Sequence, residues 1–138
     1  MSRRFSSLHG GTLESVAVLL LSLAAVAGCD PCRQSCAFEG LCEEVDGSCV
    51  ATSEEQCSAS RWCKRYGRCT LDNKNHTCTV GSDADCRAAI ECIDDGRCKF
   101  RRDPWSESCV AASKTDCEKS NNCLAKSRCR LEGNACVQ

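Results

Sequence analysis

The one sustained apolar segment of this chain lies near its N-terminus, where Val16–Val26 reads VAVLLLSLAAV. Eleven residues is the length of a signal-peptide core and too short to cross a bilayer, and Arg3 and Arg4 ahead of it supply a positive flank. The pattern therefore predicts export, with residues 1–28 as a signal peptide. Beyond it the hydrophobic pattern thins abruptly. Between Asp30 and Gln138 the large apolar residues other than cysteine number sixteen, fewer than one residue in six. A chain of that composition does not bury enough apolar surface to offset the entropy of ordering it. The positions that recur at fixed spacing are cysteines instead.

Seventeen cysteines occur in 138 residues, and sixteen fall into four groups of four. They are Cys32, Cys36, Cys42, Cys49; Cys57, Cys63, Cys69, Cys78; Cys86, Cys92, Cys98, Cys109; and Cys117, Cys123, Cys129, Cys136. The last three groups share five intervening residues between the first and second and between the second and third cysteine. Other positions keep step with them. Ser53, Ser82 and Ser113 stand four residues before a first cysteine, Arg68, Arg97 and Arg128 precede a third, and Leu71, Phe100 and Leu131 follow it by two. This is an internal repeat, with units at 29–52 (atypical), 53–81, 82–112 and 113–138. Cysteine at this density in an exported chain supplies through disulfides the stability that a hydrophobic core supplies elsewhere.

Local chemistry gives each unit a shape. Ser53-x-x-Gln56, Ser82-x-x-Asp85 and Ser113-x-x-Asp116 place an N-cap serine three residues before an acceptor. Gln56 is the full capping-box partner by type, and the two aspartates are shorter versions of it. Each serine opens a stretch free of proline and internal glycine, and Gly67 and Gly96 end two of them as C′ glycines. One short helix per repeat follows, carrying the first two cysteines. The third and fourth cysteines then flank gaps of six, eight, ten and six residues that hold Asp46-Gly47, Asp72-Asn73, Asp103-Pro104 and Gly133-Asn134. Even gaps suit a hairpin lengthened by one residue per strand, which keeps cysteine and apolar residue on one face. The expected fold is thus a small disulfide-rich α+β array of four tandem repeats, each a short helix plus a two-stranded ribbon. Cys32 and Cys36 are closer together, so the first helix is expected to be shortened or absent, and the fourth repeat carries Ser127 where the second and third have glycine.

A helix also limits pairing. Cys86 and Cys92 on one helix would be separated by about 9 Å along the axis and about 120° around it, too far for a bridge. The first cysteine is therefore expected to bond the third with the second bonding the fourth, or the first to bond the fourth with the second bonding the third.

Cys29 stands outside the register. The string Val26-Ala27-Gly28-Cys29 resembles the lipobox of bacterial lipoproteins, in which the peptidase cuts before a cysteine that has received a diacylglyceryl group. The resemblance covers the first 29 residues. It implies lipidation at Cys29, two or more acyl chains being enough for stable attachment, and a place in the bacterial cell envelope, outside the cytoplasm and anchored to a membrane. Asp30 resembles the residue that retains such proteins in the inner membrane of enteric-type bacteria. Cys29-Asp30-Pro31-Cys32 has the spacing of a redox pair but lacks the preceding strand that such chemistry needs. The repeats in turn resemble the cysteine-rich repeat lipoproteins of bacterial envelopes, a grouping without a shared activity.

Charge changes the picture little. From Asp30 onward the net charge is −2, running −4, +2, −2 and +2 through the four repeats, so no nucleic-acid partner is implied. Arg61, Lys64, Arg65 and Arg68 read as a solvated helix face. Adjacent carboxylates such as Glu54-Glu55 and Asp94-Asp95 read as exposed charge rather than acid–base pairs. With His76 alone beyond the leader, five-residue cysteine gaps and an exported location, no metal and no cofactor are expected.

Recognition residues are the remaining candidates. Trp62 and Tyr66, four apart, share a helix face. Arg101, Arg102 and Trp105 occupy the tip of the longest ribbon and have the composition of a binding hot spot. The plainer reading is that Trp62 packs as core and Trp105 pins its own loop. The sequence thus predicts a non-catalytic, membrane-anchored scaffold for binding a protein or envelope partner. A secreted inhibitor or toxin-like protein without lipid is the first alternative, and a thiol metal-binding or redox protein the second.

Overall fold

The computed structural model describes residues 30–138, so the signal segment 1–28 and Cys29 lie outside the described residues. Four copies of one unit follow in file. The first comprises α1 (Arg33–Glu39), β1 (Glu43–Val45) and β2 (Ser48–Val50). The second runs α2 (Glu54–Ala59), α3 (Arg61–Tyr66), β3 (Thr70–Asp72), β4 (Thr77–Thr79). The third runs α4 (Asp83–Ala88), α5 (Ile90–Asp95), β5 (Lys99–Asp103), β6 (Ser106–Val110). The fourth runs α6 (Lys114–Glu118), α7 (Asn121–Lys126), β7 (Arg130–Glu132), β8 (Ala135–Val137). Each strand pair is a separate two-stranded antiparallel sheet. The α+β class and the repeated helix-plus-ribbon plan are therefore present.

The expected single helix per repeat is corrected in repeats two to four. It is broken into two short helices at Ser60, at Ala89 and at Lys119–Ser120. Ser60, Ala89 and Ser120 take extended ψ values of 156°, 149° and 150°. Ser60 and Ser120 then recap the chain, their hydroxyls accepting from the backbone N–H of Cys63 and Cys123 at 3.0 and 3.2 Å. Ser60, Ala89 and Ser120 are all buried. The first repeat has the shortened form expected of it: a single helix of seven residues, α1, stands where the other repeats have two helices.

Capping also inverts the expectation. Ser53, Ser82 and Ser113 are N-caps, but the full capping boxes are those with Asp85 and Asp116. Asp85 Oδ2 accepts from the N–H of Ser82 at 3.1 Å and of Gly81 at 2.8 Å. The longer Gln56 overshoots Ser53 and accepts from Thr52 N–H at 2.7 Å.

All sixteen repeat cysteines are paired within their own repeat, first with fourth and second with third. The first–fourth bridges are the core. Cys57, Cys86 and Cys117 are completely buried, and small clusters form around them: Ala51, Cys57 and Cys78 with Leu41 and Leu71, then Val80, Cys86 and Cys109 with Phe100. Ribbon register delivers the fourth cysteine to its place. Leu71 faces Cys78, Phe100 faces Cys109 and Leu131 faces Cys136 across each ladder. In repeats two to four the residue two beyond the third cysteine is apolar and lies directly opposite the fourth, whereas in the first repeat the same place is taken by the exposed Glu44. The N1 carboxylate of the first helix also holds the ribbon: Glu54 accepts from Leu71 N–H at 3.0 Å and Asp83 from Phe100 N–H at 2.8 Å.

Repeats join through two layers. The helices α1, α3, α5 and α7 pack side by side in succession. At each of these junctions a left-handed residue is pressed against the following repeat. Gly40, Gly67 and Gly96 have φ of +82°, +74° and +71° and are buried. A Cβ on Gly67 would sit 2.9 Å from the Asp85 carbonyl oxygen and 3.0 Å from Cys109 Sγ; on Gly96 it would meet the same atoms of Asp116 and Cys136 at 2.7 and 3.0 Å. Ser127 has the same backbone conformation at φ +57° but is exposed, with no described repeat against it. The glycine is required by the junction more than by the turn.

Two measurements check this architecture. Gly67→Ala is expected to destabilise by about 2 kcal/mol or more, combining about 1–2 kcal/mol for an L-residue in the left-handed region with a clash against backbone. Ser127→Gly is expected to be neutral or slightly stabilising. Denaturant titration with disulfides intact reads both, and equal losses would remove the junction argument. Replacing the Cys86/Cys109 pair by alanine is expected to cost about 3 kcal/mol, and replacing Cys92/Cys98 about 2 kcal/mol, because the first closes the longer loop.

Candidate functional site

Trp62 and Tyr66 lie one turn apart on α3, with ring centroids 6.4 Å apart and planes at 79°, an edge-to-face pair. Both are half-buried, so part of each ring still faces solvent. The basic residues around them are more than a solvated face. Arg61 stacks over the Phe38 ring at 4.7 Å, Arg65 over Tyr66 at 5.6 Å and Arg68 over Trp62 at 4.8 Å. Phe38 comes from the first repeat, so the lateral packing of α1 on α3 builds part of the site.

The aromatic pair separates two clefts. One, of about 450 Å³, is lined by Arg61, Lys64 and Arg65 together with Phe38, Trp62, Tyr66 and Ile90. It spans three repeats along the α1–α3–α5 layer. The other, of about 390 Å³, lies where α3 meets the third repeat, with Arg68, Glu91, Arg97 and Glu107 among its walls. Glu91 is partly buried there, and burial raises its pKa above the ordinary carboxylate value, with Arg97 (3.6 Å away) opposing and Asp95 adding to the rise.

The ribbon-tip candidates are elsewhere. Arg102 and Trp105 line a broad polar cleft of about 780 Å³ between the β3–β4 and β5–β6 ribbons, while Arg101 is not part of its wall. Trp105 does not pin its own loop. It is 95% exposed, and the β5–β6 turn closes without it. The two arginines are spoken for: Arg101 Nε donates to Asp103 at 3.0 Å and Arg102 Nε to Glu107 at 2.7 Å, and Glu107 also accepts from the Thr79 hydroxyl at 2.7 Å. The five residues expected to recognise a partner therefore fall into two separate places.

Phe38 and Ile90 were not among the sequence candidates. Their positions relative to the second cysteine differ from that of Trp62, so no linear spacing connects them to it. The carboxylates read as exposed charge are in part inter-repeat fasteners, since Asp94 and Asp95 accept from the side-chain amides of Asn121 and Asn122. Among the described residues no cluster of three or more metal-ligating side chains is present, and no helix is long and apolar enough to cross a membrane.

Glu91 provides a pH test. Its raised pKa means that the folded chain holds this proton more tightly than the unfolded chain, so its contribution to stability is complete below the unfolded value and lost as pH rises through the folded value. Glu91→Gln is accordingly expected to raise the melting temperature at neutral pH and to leave it nearly unchanged in acid. Thermal melts at the two pH values read the difference.

The chain matches no protein-family model, no curated protein and no solved structure, so its disulfide-stabilised repeats are described by their own geometry alone.

Proposed function

We propose that this chain is an exported bacterial lipoprotein, anchored to a membrane through acylated Cys29, whose repeats form a non-catalytic scaffold for recognition at the cell envelope. One observation carries the reading. Every cysteine of the register has a partner inside its own repeat, so the cysteine of the Val26-Ala27-Gly28-Cys29 string has no described thiol to bond. Eight disulfides also require an oxidising compartment, as export provides. They leave none of these sixteen sulfurs free as a thiolate, which weighs against the thiol metal-binding or redox alternative. Stiff small repeats with exposed aromatic and basic side chains suit a binding surface, and the tether fixes where that surface is displayed.

The experiment is intact-mass analysis of the mature chain with fractionation of its Cys29→Ala variant. The expected result is an N-terminal cysteine carrying diacylglyceryl mass, and release of the variant into the soluble extracytoplasmic fraction with its eight disulfides formed. A mature chain beginning at an unmodified residue other than Cys29 would instead mark a secreted, lipid-free inhibitor or toxin-like protein.

A further inference from the structure

We infer that the face formed by α1, α3 and α5 is a docking site for a short acidic peptide segment that also carries apolar side chains. The inference deepens the reading of the array as a recognition scaffold and is independent of the lipid anchor.

The arginines of this face combine a ring contact with the lack of a carboxylate partner. Elsewhere Arg87, Arg97, Lys99, Arg101, Arg102, Lys114 and Arg130 each lie within 4.0 Å of a carboxylate. Among the described residues, Arg61, Lys64, Arg65 and Arg68 have no such partner, and neither do Arg33, Lys74, Lys119, Lys126 and Arg128, so it is the ring contacts that set this face apart. Three of them are positioned by aromatic rings instead, Arg61 on Phe38, Arg65 on Tyr66 and Arg68 on Trp62. Stacking orients a guanidinium plane while leaving its N–H edges unused, and those edges match a carboxylate in bidentate fashion. Arg61 and Arg65, which line the cleft, are therefore ordered in advance with no carboxylate within salt-bridge distance, although Glu91 acts on Arg65 from further off, and this ordering lowers the cost of binding an anion.

The cleft itself sets the rest of the ligand's chemistry. Its wall holds no carboxylate, and its apolar members come from three repeats. Phe38 and Ile90 are 39% and 43% exposed at its edges, which is surface that an aliphatic or aromatic side chain would cover. A space of about 450 Å³ accepts a few side chains. A carboxylate beside an apolar side chain satisfies both features at once.

Charge along the array limits the length of the anion. The basic second repeat, at +2, is flanked by the first at −4 and the third at −2. A long polyanion such as duplex DNA or a sulfated polysaccharide would run from the basic face onto repelling ground, and its binding depends on a continuous track of cations. A short acidic segment stays over the second repeat. A bilayer surface fits less well, because a cleft between helices cannot be filled by a flat face.

The test uses the full mature chain in detergent. The probe is a fluorescein-labelled nonapeptide pool with Asp or Glu at alternate positions and Leu, Ile, Val or Phe between them. Fluorescence anisotropy is read against three competitors: the same pool with Asn and Gln in place of the acids, a duplex oligonucleotide and a heparin-type oligosaccharide. The acidic pool is expected to bind in the micromolar range and to weaken with added salt. Arg61→Gln and Arg65→Gln are each expected to weaken it about tenfold, and the amide pool likewise. Arg128→Gln, on the exposed end of the fourth repeat, is expected to change nothing. An intact disulfide map for each variant shows that these exposed substitutions leave the fold in place. Failure of the acidic pool to bind, equal binding of the amide pool, indifference to both arginine substitutions, or tighter binding of either polyanion would each overturn the assignment. None of these results bears on acylation of Cys29, so failure here is distinguishable from failure of the anchor.

Discussion

Everything in this molecule hangs on the bridge between the first and fourth cysteine of each repeat. It joins the first helix to the far strand of the ribbon, and its sulfurs occupy the places that leucine or isoleucine would fill in a larger domain. Cys57, Cys86 and Cys117 are completely buried although their repeats contain few large apolar residues. A disulfide contributes both by excluding water and by shrinking the unfolded ensemble, and the second contribution needs no bulk. A unit of about thirty residues, well below the size at which a hydrophobic core suffices, is thereby given a fixed shape. The second–third bridge ties α3, α5 or α7 back to the start of its ribbon.

From that constraint the array follows. With each unit held internally, neighbours need only small contacts to stack, and these recur: a left-handed glycine against the next first helix, and hydrogen bonds from one repeat to the next. Ala51 N–H donates to the His76 carbonyl at 2.8 Å and Ala111 N–H to that of Asn134 at 3.1 Å. Thr70 Oγ1 donates to Asp85 Oδ2 at 3.0 Å, so the N-terminal carboxylate of one repeat also reads the strand of the last. Small buried residues at the helix breaks let the backbones approach. Such quasi-one-dimensional packing builds one surface from several units, as the cleft lined by Phe38, Trp62 and Ile90 illustrates.

Much of this was legible in linear order, and the reasons for the misses are specific. The capping serines, the C′ glycines and the ribbon turns were readable because each is a local backbone requirement with a side chain that meets it. The helix break was not read, although Ser60 and Ser120 are themselves N-cap residues three positions before a second cysteine. Nothing else in those stretches interrupts a helix, and at Ala89 no polar cap exists at all. The break is imposed by geometry: the first cysteine must face the ribbon while the second turns back toward the third. Gln56 and Asp85 exchanged their expected roles because reach, rather than residue type, decides which acceptor returns to the N-cap.

The sequence by itself determined the disulfide-rich class, the repeat, the helix-plus-ribbon unit and the restriction of disulfides to two schemes, because these depend on spacing and on residue types acting within a few positions. Tertiary structure decided which scheme holds and which side chains from different repeats meet. Ribbon register places the fourth cysteine, not the third, beside the first helix, and lateral stacking of α1, α3 and α5 brings Phe38 and Ile90 to Trp62 across repeat boundaries. Contacts between units depend on how rigid bodies pack, and no periodicity along the chain records that. The same packing set Arg61, Arg65 and Arg68 on aromatic rings, turning what reads as a solvated basic stretch into an ordered surface.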